Sequence, residues 1–224
     1  MRYTDFTPYD LVLLLQGVGV SAGLFAASTL LGGMLGLTWA LLRYYRVPVL
    51  AQLAAALAEL LKNSPVLVQL FLVFFGLPVL LQTDLTPVQA ALITLSGNTA
   101  AFLYVIAVSS IDAVGREQLE TARVFGMNRW QVLRHIVAPQ AAAFAMGPLT
   151  GLLVNQLQVT SLISVVGVLD LTKIGVILNL RTLKPFIVWT VVGLLYYVMA
   201  KSIARLCGAL EQRLRAHSAW KGIA

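Results

Sequence analysis

Residues 11 to 42 read LVLLLQGVGVSAGLFAASTLLGGMLGLTWALL, without one Asp, Glu, Lys or Arg. Crossing the hydrocarbon core of a bilayer takes roughly 20 apolar residues of helix, so this stretch already identifies lipid as the solvent for which the chain is built. Three further charge-free stretches follow, Asn63 to Thr83, Leu85 to Ile111 and Ile136 to Leu169. A fifth, Pro185 to Ala200, continues past Lys201, whose aliphatic stem can carry its ammonium to the interface. Composition points the same way, with 59% hydrophobic and 11% charged residues and a mean hydropathy of +0.85. The expectation is an all-α integral membrane protein forming one transmembrane domain over 1–224, with five spans at about 11–42, 60–81, 86–111, 138–169 and 184–206. A signal peptide is the competing reading of the N-terminus, but the apolar run is too long and Arg2 is offset by Asp5 and Asp10.

With five spans the termini face opposite sides, and the basic residues decide which. An external N-terminus puts Arg43, Arg46, Lys62, Arg116, Arg123, Arg129, Arg134, Lys201, Arg205, Arg213, Arg215 and Lys221 inside, and only Arg2, Lys173, Arg181 and Lys184 outside. The orientation expected is N-out, C-in. The formal charge of +7 is therefore topological, and nucleic acid is not an expected partner. Cys207 is the single cysteine, which excludes an internal disulfide and suits an inert buried thiol. His135 and His217 have no partners at metal-ligand or catalytic spacing. No metal site or catalytic residue is expected, since an intramembrane enzyme needs a nucleophile with a base, or metal ligands, at membrane depth.

The loop between spans three and four, 112–137, is the one substantial cytoplasmic segment. Leu119, Ala122 and Phe125 recur every three positions from Glu117, as on an interfacial helix. Gly126 can take the left-handed conformation that ends it. Asn128 is then an N-cap with Gln131 at capping-box spacing, and Trp130, Leu133, Ile136 and Val137 make the next apolar stripe. Pro139 suits the first turn of the helix that re-enters the membrane. Two readings stand on physics alone: an amphipathic loop lying on the anionic leaflet, or a docking element for a rigid partner.

E-T-A-x-x-x-G from Glu120 to Gly126, followed by I-V-A-P from Ile136 to Pro139, resembles the EAA loop of permease subunits of ATP-binding-cassette importers, with Thr121 in place of the signature's first Ala. K-N-S-P-V-L-V-Q-L-F-L-V-F-F-G-L-P (Lys62 to Pro78), A-P-Q-A (Ala138 to Ala141) and Q-V-T-S-L-I-S-V (Gln158 to Val165) resemble the polar amino acid uptake branch, the His/Glu/Gln/Arg/opine type. The resemblance implies a type I importer permease fold in a bacterial cytoplasmic (inner) membrane. It also implies two ATP-binding cassette ATPase subunits, a second permease subunit and an extracytoplasmic solute-binding protein. By the same resemblance the loop is a coupling helix: Glu120 makes the polar contact with the ATPase, Ala122 and Gly126 permit close approach, and Pro139 fixes the return angle. The chain has no G-x-x-x-x-G-K-[ST] phosphate loop; ATP and Mg are expected in the partner, and no cofactor in this chain.

The glycines of the first span, among them the pairs Gly19/Gly23 and Gly32/Gly36, are expected to permit close helix packing. In the fourth span, Asn155, Gln156, Gln158, Thr160, Ser161 and Ser164 lie at depths where unsatisfied polar groups are costly. Ser and Thr can bond their own helix's carbonyls, whereas the three amides call for an interface or a hydrated cavity. The resemblance makes Asn155, Gln158, Thr160, Ser161 and Ser164 the candidate substrate path. Two departures weigh against a strongly charged substrate. Gln158 replaces a Lys of the family pattern, and Val105 and Val108 stand where Glu and Arg are common. Either the substrate is less charged than usual, or a second, different permease subunit carries those groups, and the heteromer is preferred. A degenerate permease half with a mainly structural and coupling role is the alternative. Among the outside charges, Lys173, Arg181 and Lys184 are read as solvated loop residues or as a contact for an acidic lobe of the binding protein.

Overall fold

A computed structural model describes residues 6–220, with side chains through Arg213; Arg2, Asp5, Arg215, His217 and Lys221 lie outside the described residues or side chains. The described chain is helical with short connections and contains no strand. Helix α1 (Pro8–Tyr44) opens with Pro8 in its first turn and a capping box between Thr7 and Asp10. It is followed by α2 (Leu50–Lys62) and by α3 (Val66–Leu81), which leaves α2 at an angle of 109°. Helix α4 (Pro87–Asp112), capped by Thr86 with Gln89, runs back through the bundle. The short α5 (Arg116–Val124) then leads into α6 (Arg129–Val166), which tightens to a 3-10 helix over Thr160–Val166. After Gly167 comes α7 (Leu171–Thr182), and α8 (Pro185–Trp220) completes the described chain. Four of the described helices, α1, α4, α6 and α8, are long and apolar enough to cross a membrane, and the bent α2–α3 pair, counted as one broken span, brings the number to five.

α4 sits at the centre. Its buried face meets α1 through Gly32 and Gly36: a Cβ on Gly36 would lie 2.6 Å from the Ala100 carbonyl oxygen. The Gly32/Gly36 pair therefore lets two backbones touch. Gly19 and Gly23 do nothing of the kind, since a Cβ there meets nothing within 4 Å. Leu24, Leu70, Leu95 and Ile163 form the central core, drawn from α1, α3, α4 and the 3-10 turn of α6.

The second span departs from a simple helix over 60–81. Pro65 lacks an N–H and disfavours helix at Ser64, and α2 ends at the Asn63 C-cap. The orphaned carbonyls are met by Gln69, whose Nε2 donates to Leu61 O at 2.7 Å and Ser64 O at 3.1 Å. Gln69, an amide inside a span, thus holds the break together.

Two further prolines leave the same mark. Pro78 and Pro139 are each preceded by a π-helical turn, Leu72–Gly76 and Leu133–Val137. A proline ring collides with the carbonyl four residues back. Widening the turn removes that carbonyl, and Leu77 and Ala138 donate instead to Leu72 O and Leu133 O. Pro139 therefore stands in the first turn of the α-helical segment Ala138–Val159, which continues through the π turn from the start of α6 at Arg129. The fourth span also ends earlier than residue 169, because Gly167 takes φ 93° and turns the chain. The segment read as an external loop contains α7, a helix capped by Asp170.

Candidate functional site: the coupling segment and the mid-membrane face

The loop between α4 and α6 folds by local chemistry. Gly126 adopts φ 72°, the left-handed conformation that favours glycine. Asn128 Oδ1 accepts from Gln131 N at 2.9 Å, and Gln131 Oε1 accepts from Asn128 N at 2.8 Å, a reciprocal box. Beneath it Val114, Ala122, Val132, Leu133 and Val137 form a cluster with Leu119 and Met127 at its edge. Ala122 is buried, so its small side chain serves the close packing of α5 on its own chain. Gly126 has open space around it, and Glu120 is exposed.

Phe125 does not join the stripe expected for it. Helix α5 ends at Val124, Phe125 is the cap residue, and the reversal at Gly126 sends Met127 into the cluster instead. Phe125 is left 80% exposed, beside Val124 at 86%, with Trp130 at 57%. These are large apolar side chains left exposed on an otherwise folded loop.

Depth in the bundle follows from contacts with α4. That helix has 26 residues, about 39 Å, and Gly97 lies about 15 Å from its outer end. A Cβ on Gly97 would sit 3.6 Å from Leu61, and Gln156 Nε2 donates to Leu95 O at 3.1 Å. The break at Asn63–Pro65 and the polar part of α6 are therefore level, near the middle of the membrane. Lys62 is accordingly not a cytoplasmic residue, contrary to the charge reading. It pairs with Glu59 at 3.0 Å, and Asn63 Nδ2 donates to Glu59 Oε1 at 2.6 Å. Depth of this sort depends on which helices touch, and no one-dimensional charge pattern contains it.

The fourth-span polar residues divide into two faces. Gln156 is buried, with Nε2 also donating to Ser28 Oγ at 3.2 Å, and belongs to helix packing. Thr160 is buried and donates to Leu157 O, Ser161 donates to Gln158 O, and Ser164 is buried. Asn155 and Gln158 are exposed and make no side-chain hydrogen bond with the described residues. They continue an open stripe of α6 through Phe144, Gly147, Pro148 and Gly151. Val105 and Val108 are half-buried against Ala40, Ala58 and Ala101; the two positions are packed into the bundle.

The outer end carries polar groups that sequence reasoning passed over. Asp170 accepts from Thr172 N and Lys173 N at 3.2 and 2.9 Å, and from Tyr196 Oη at 3.2 Å. Because Tyr196 donates there, its oxygen accepts from Thr172 Oγ1 at 3.1 Å. Ser21 Oγ accepts from Leu171 N at 3.2 Å. Burial pushes the Asp170 carboxyl up, against the pull of these hydrogen bonds. Arg181 is an ion-pair partner of Asp10, which is fully buried, so it is not a solvated loop charge. The readable signal was Asp170 as an N-cap ahead of Leu171, Ile174 and Leu178, all buried. Cys207 is buried, and no group of three metal-ligating side chains occurs among the described residues.

A helical bundle with a folded, exposed loop, a broken span and an open polar face at mid-depth has the architecture expected of the membrane-embedded part of a transport system. Residues 32–216 match the family of binding-protein-dependent transport system inner membrane components, and the chain belongs to it. It is 30% identical over 217 residues to the L-cystine transport system permease protein TcyL of Bacillus subtilis (strain 168), covering 94% of this chain and 89% of that one. It is 31% identical over 212 residues to the probable glutamine ABC transporter permease protein GlnP of the same organism, covering 93% and 96%. A crystal structure of an amino acid ABC transporter with histidines superposes with TM-score 0.83 at 25% identity, covering 94% of this chain and all of that one. The MetNI methionine ABC transporter in an inward-facing form shares the fold, with TM-score 0.80 at 18% identity over 93% of this chain. The chain is an amino-acid ABC transporter permease subunit, a multi-pass protein of the inner membrane.

Proposed function

We propose that this subunit passes a polar amino acid, delivered by an extracytoplasmic binding protein, between its α6 face and a second permease subunit. ATP and Mg bind in two partner ATPases, whose closure pushes on residues 117–130 and reorients α4 and α6. The observation that carries the coupling step is the exposed set Glu120, Val124 and Phe125 on a segment held rigid by the Gly126 turn and the Asn128–Gln131 box. Glu120 makes the polar contact, Phe125 and Val124 fill the ATPase groove, and Ala122 and Pro139 set the position and angle of the segment from within. The test is ATPase activity of the assembled complex with and without loaded binding protein. Glu120→Arg and Gly126→Trp are expected to lose at least ten-fold of the stimulation; unchanged coupling and assembly reject the proposal.

The open stripe of α6 favours a partner across it, because Asn155 and Gln158 at mid-depth are unsatisfied in lipid. A heteromer accounts best for the apolar Val105 and Val108, with the other subunit holding the charged groups. A degenerate half is the second reading, favoured by the same two valines and by Gln158. Uptake by Asn155→Ala/Gln158→Ala separates them: a lining role predicts a several-fold change in KM, a supporting role none.

A further inference from the structure

We infer that the cytoplasmic mouth of this subunit holds the headgroup of an anionic phospholipid. Between the inner ends of α1 and α4 and the coupling segment lies a cavity of about 1180 Å3, above the ~300–1,000 Å3 of ordinary small-molecule sites. Five arginines line it, Arg43, Arg46, Arg116, Arg123 and Arg129, against two carboxylates, Asp112 and Glu120. Arg43 and Asp112 stand 3.6 Å apart, and Arg129 donates to Tyr45 O at 3.4 Å. Arg46, Arg116 and Arg123 have no hydrogen-bond or ion-pair partner among the described residues, and all three are exposed. An excess of three positive charges around one concavity is a demand for anionic oxygen, which guanidinium meets in bidentate fashion.

Depth chooses the source of that anion. Arg43 is the first charge after the uncharged Leu11–Leu42 stretch, which puts the cavity's rim at the plane where inner-leaflet phosphates lie. Its inner wall, from Ala40, Val108 and Ile111, is apolar. A phosphodiester at the rim keeps its charge on the arginines while its glycerol meets that wall. Its acyl chains remain in the bilayer. Basic pockets at the cytoplasmic ends of membrane helices bind headgroups by this division of labour. The site lies beside the Asn128–Gln131 box and shares Arg123 and Glu120 with the coupling helix. Its occupant therefore contributes to holding that helix in place.

The experiment uses the complete transporter, purified and placed in nanodiscs of phosphatidylcholine alone or with phosphatidylglycerol. The wild type is expected to retain phosphatidylglycerol in native mass spectra and to gain several degrees in unfolding midpoint when it is added. Arg46→Gln/Arg116→Gln is expected to lose most of both effects, and Arg46→Lys/Arg116→Lys to keep most of the retention. Arg205→Gln, on the exposed surface of α8 away from the cavity, serves as a control and is expected to match the wild type. Equal effects of the two lipids, or an undiminished effect in the Gln pair, overturn the inference. Soluble glycerol 3-phosphate reproducing the full shift identifies a free anion as the ligand and overturns the assignment to lipid. If the Gln pair fails to fold, 0.5 M salt on the wild type decides: retention unaffected by screening contradicts an electrostatic site.

Discussion

The two ends of the molecule are held by different means. At the outer end, side chains far apart in sequence reach across helices: Asp10 to Arg181, Ser21 to the Leu171 amide, Tyr196 to Asp170. At the inner end the coupling segment is held by the local box of Asn128 with Gln131 and by one bond to α6, Gln140 Nε2 donating to Gln118 Oε1 at 2.5 Å, while Val124, Phe125 and Trp130 face outward. The outer end is tied together across helices by these pairs, although Asp10 Oδ1, Asn179 Oδ1 and Arg181 Nε are buried without a hydrogen-bond partner. The inner end is shaped but uncovered, as the proposed docking on an ATPase requires. The proposed drive from inside relies on this asymmetry, since a push is transmitted only by a segment that keeps its shape before the partner arrives.

The largest effect that can break this comparison belongs to the outer ion pair. Arg181→Met leaves the fully buried Asp10 carboxylate without a counter-charge, with only its capping-box bond from Thr7 N. The expected loss is about 3 kcal/mol, toward the low end for buried pairs because Arg181 is itself partly exposed. Adding Asp10→Asn to the same chain removes the stranded charge and is expected to recover at least half. Chemical unfolding of the purified complex in detergent measures both. A loss no larger than that of a surface substitution, or a double variant no better than the single, shows that the outer end is not held by this pair.

A smaller effect is expected from Asn128→Ala. The cap satisfies one backbone donor, and its removal costs about 1 kcal/mol, confined to the start of α6. Hydrogen exchange should rise at residues 129–133 and remain unchanged in α7. Were protection in α7 to fall as well, the two ends would be one cooperative unit and the contrast between them would fail.

What the sequence revealed divides along the same line. The five spans and the local fold of the loop between spans three and four were readable because bilayer thickness and capping act over a few neighbouring residues: the run without charge from Leu11, the turn at Gly126, the box at Asn128. Phe125 was misplaced because a three-residue period was continued through the end of its helix. The broken second span was half legible. Pro65 announced a turn, but the position of Lys62 near the middle of the bundle arises from Leu61 meeting Gly97, and pairing between helices is absent from a one-dimensional pattern. Arg181 was read as a loop charge because its partner lies at the other end of the chain. The open face with Asn155 and Gln158 was named as polar, yet only the helix register separates those two from the buried Gln156.

The smallest expected change in stability carries the most information about the inner end. Phe125→Ala removes a ring that is 80% exposed, so the subunit's own unfolding should shift by less than about 0.5 kcal/mol. If that ring fills a groove in the ATPase, its truncation costs the assembly about 2 kcal/mol or more, as for a buried aromatic anchor. The ATPase should then dissociate tens of times faster on dilution while the permease remains folded. The opposite pattern, a destabilised subunit with an undisturbed assembly, would place Phe125 in this chain's own core. In that case the coupling segment, like the outer end, would be tied together within its own chain.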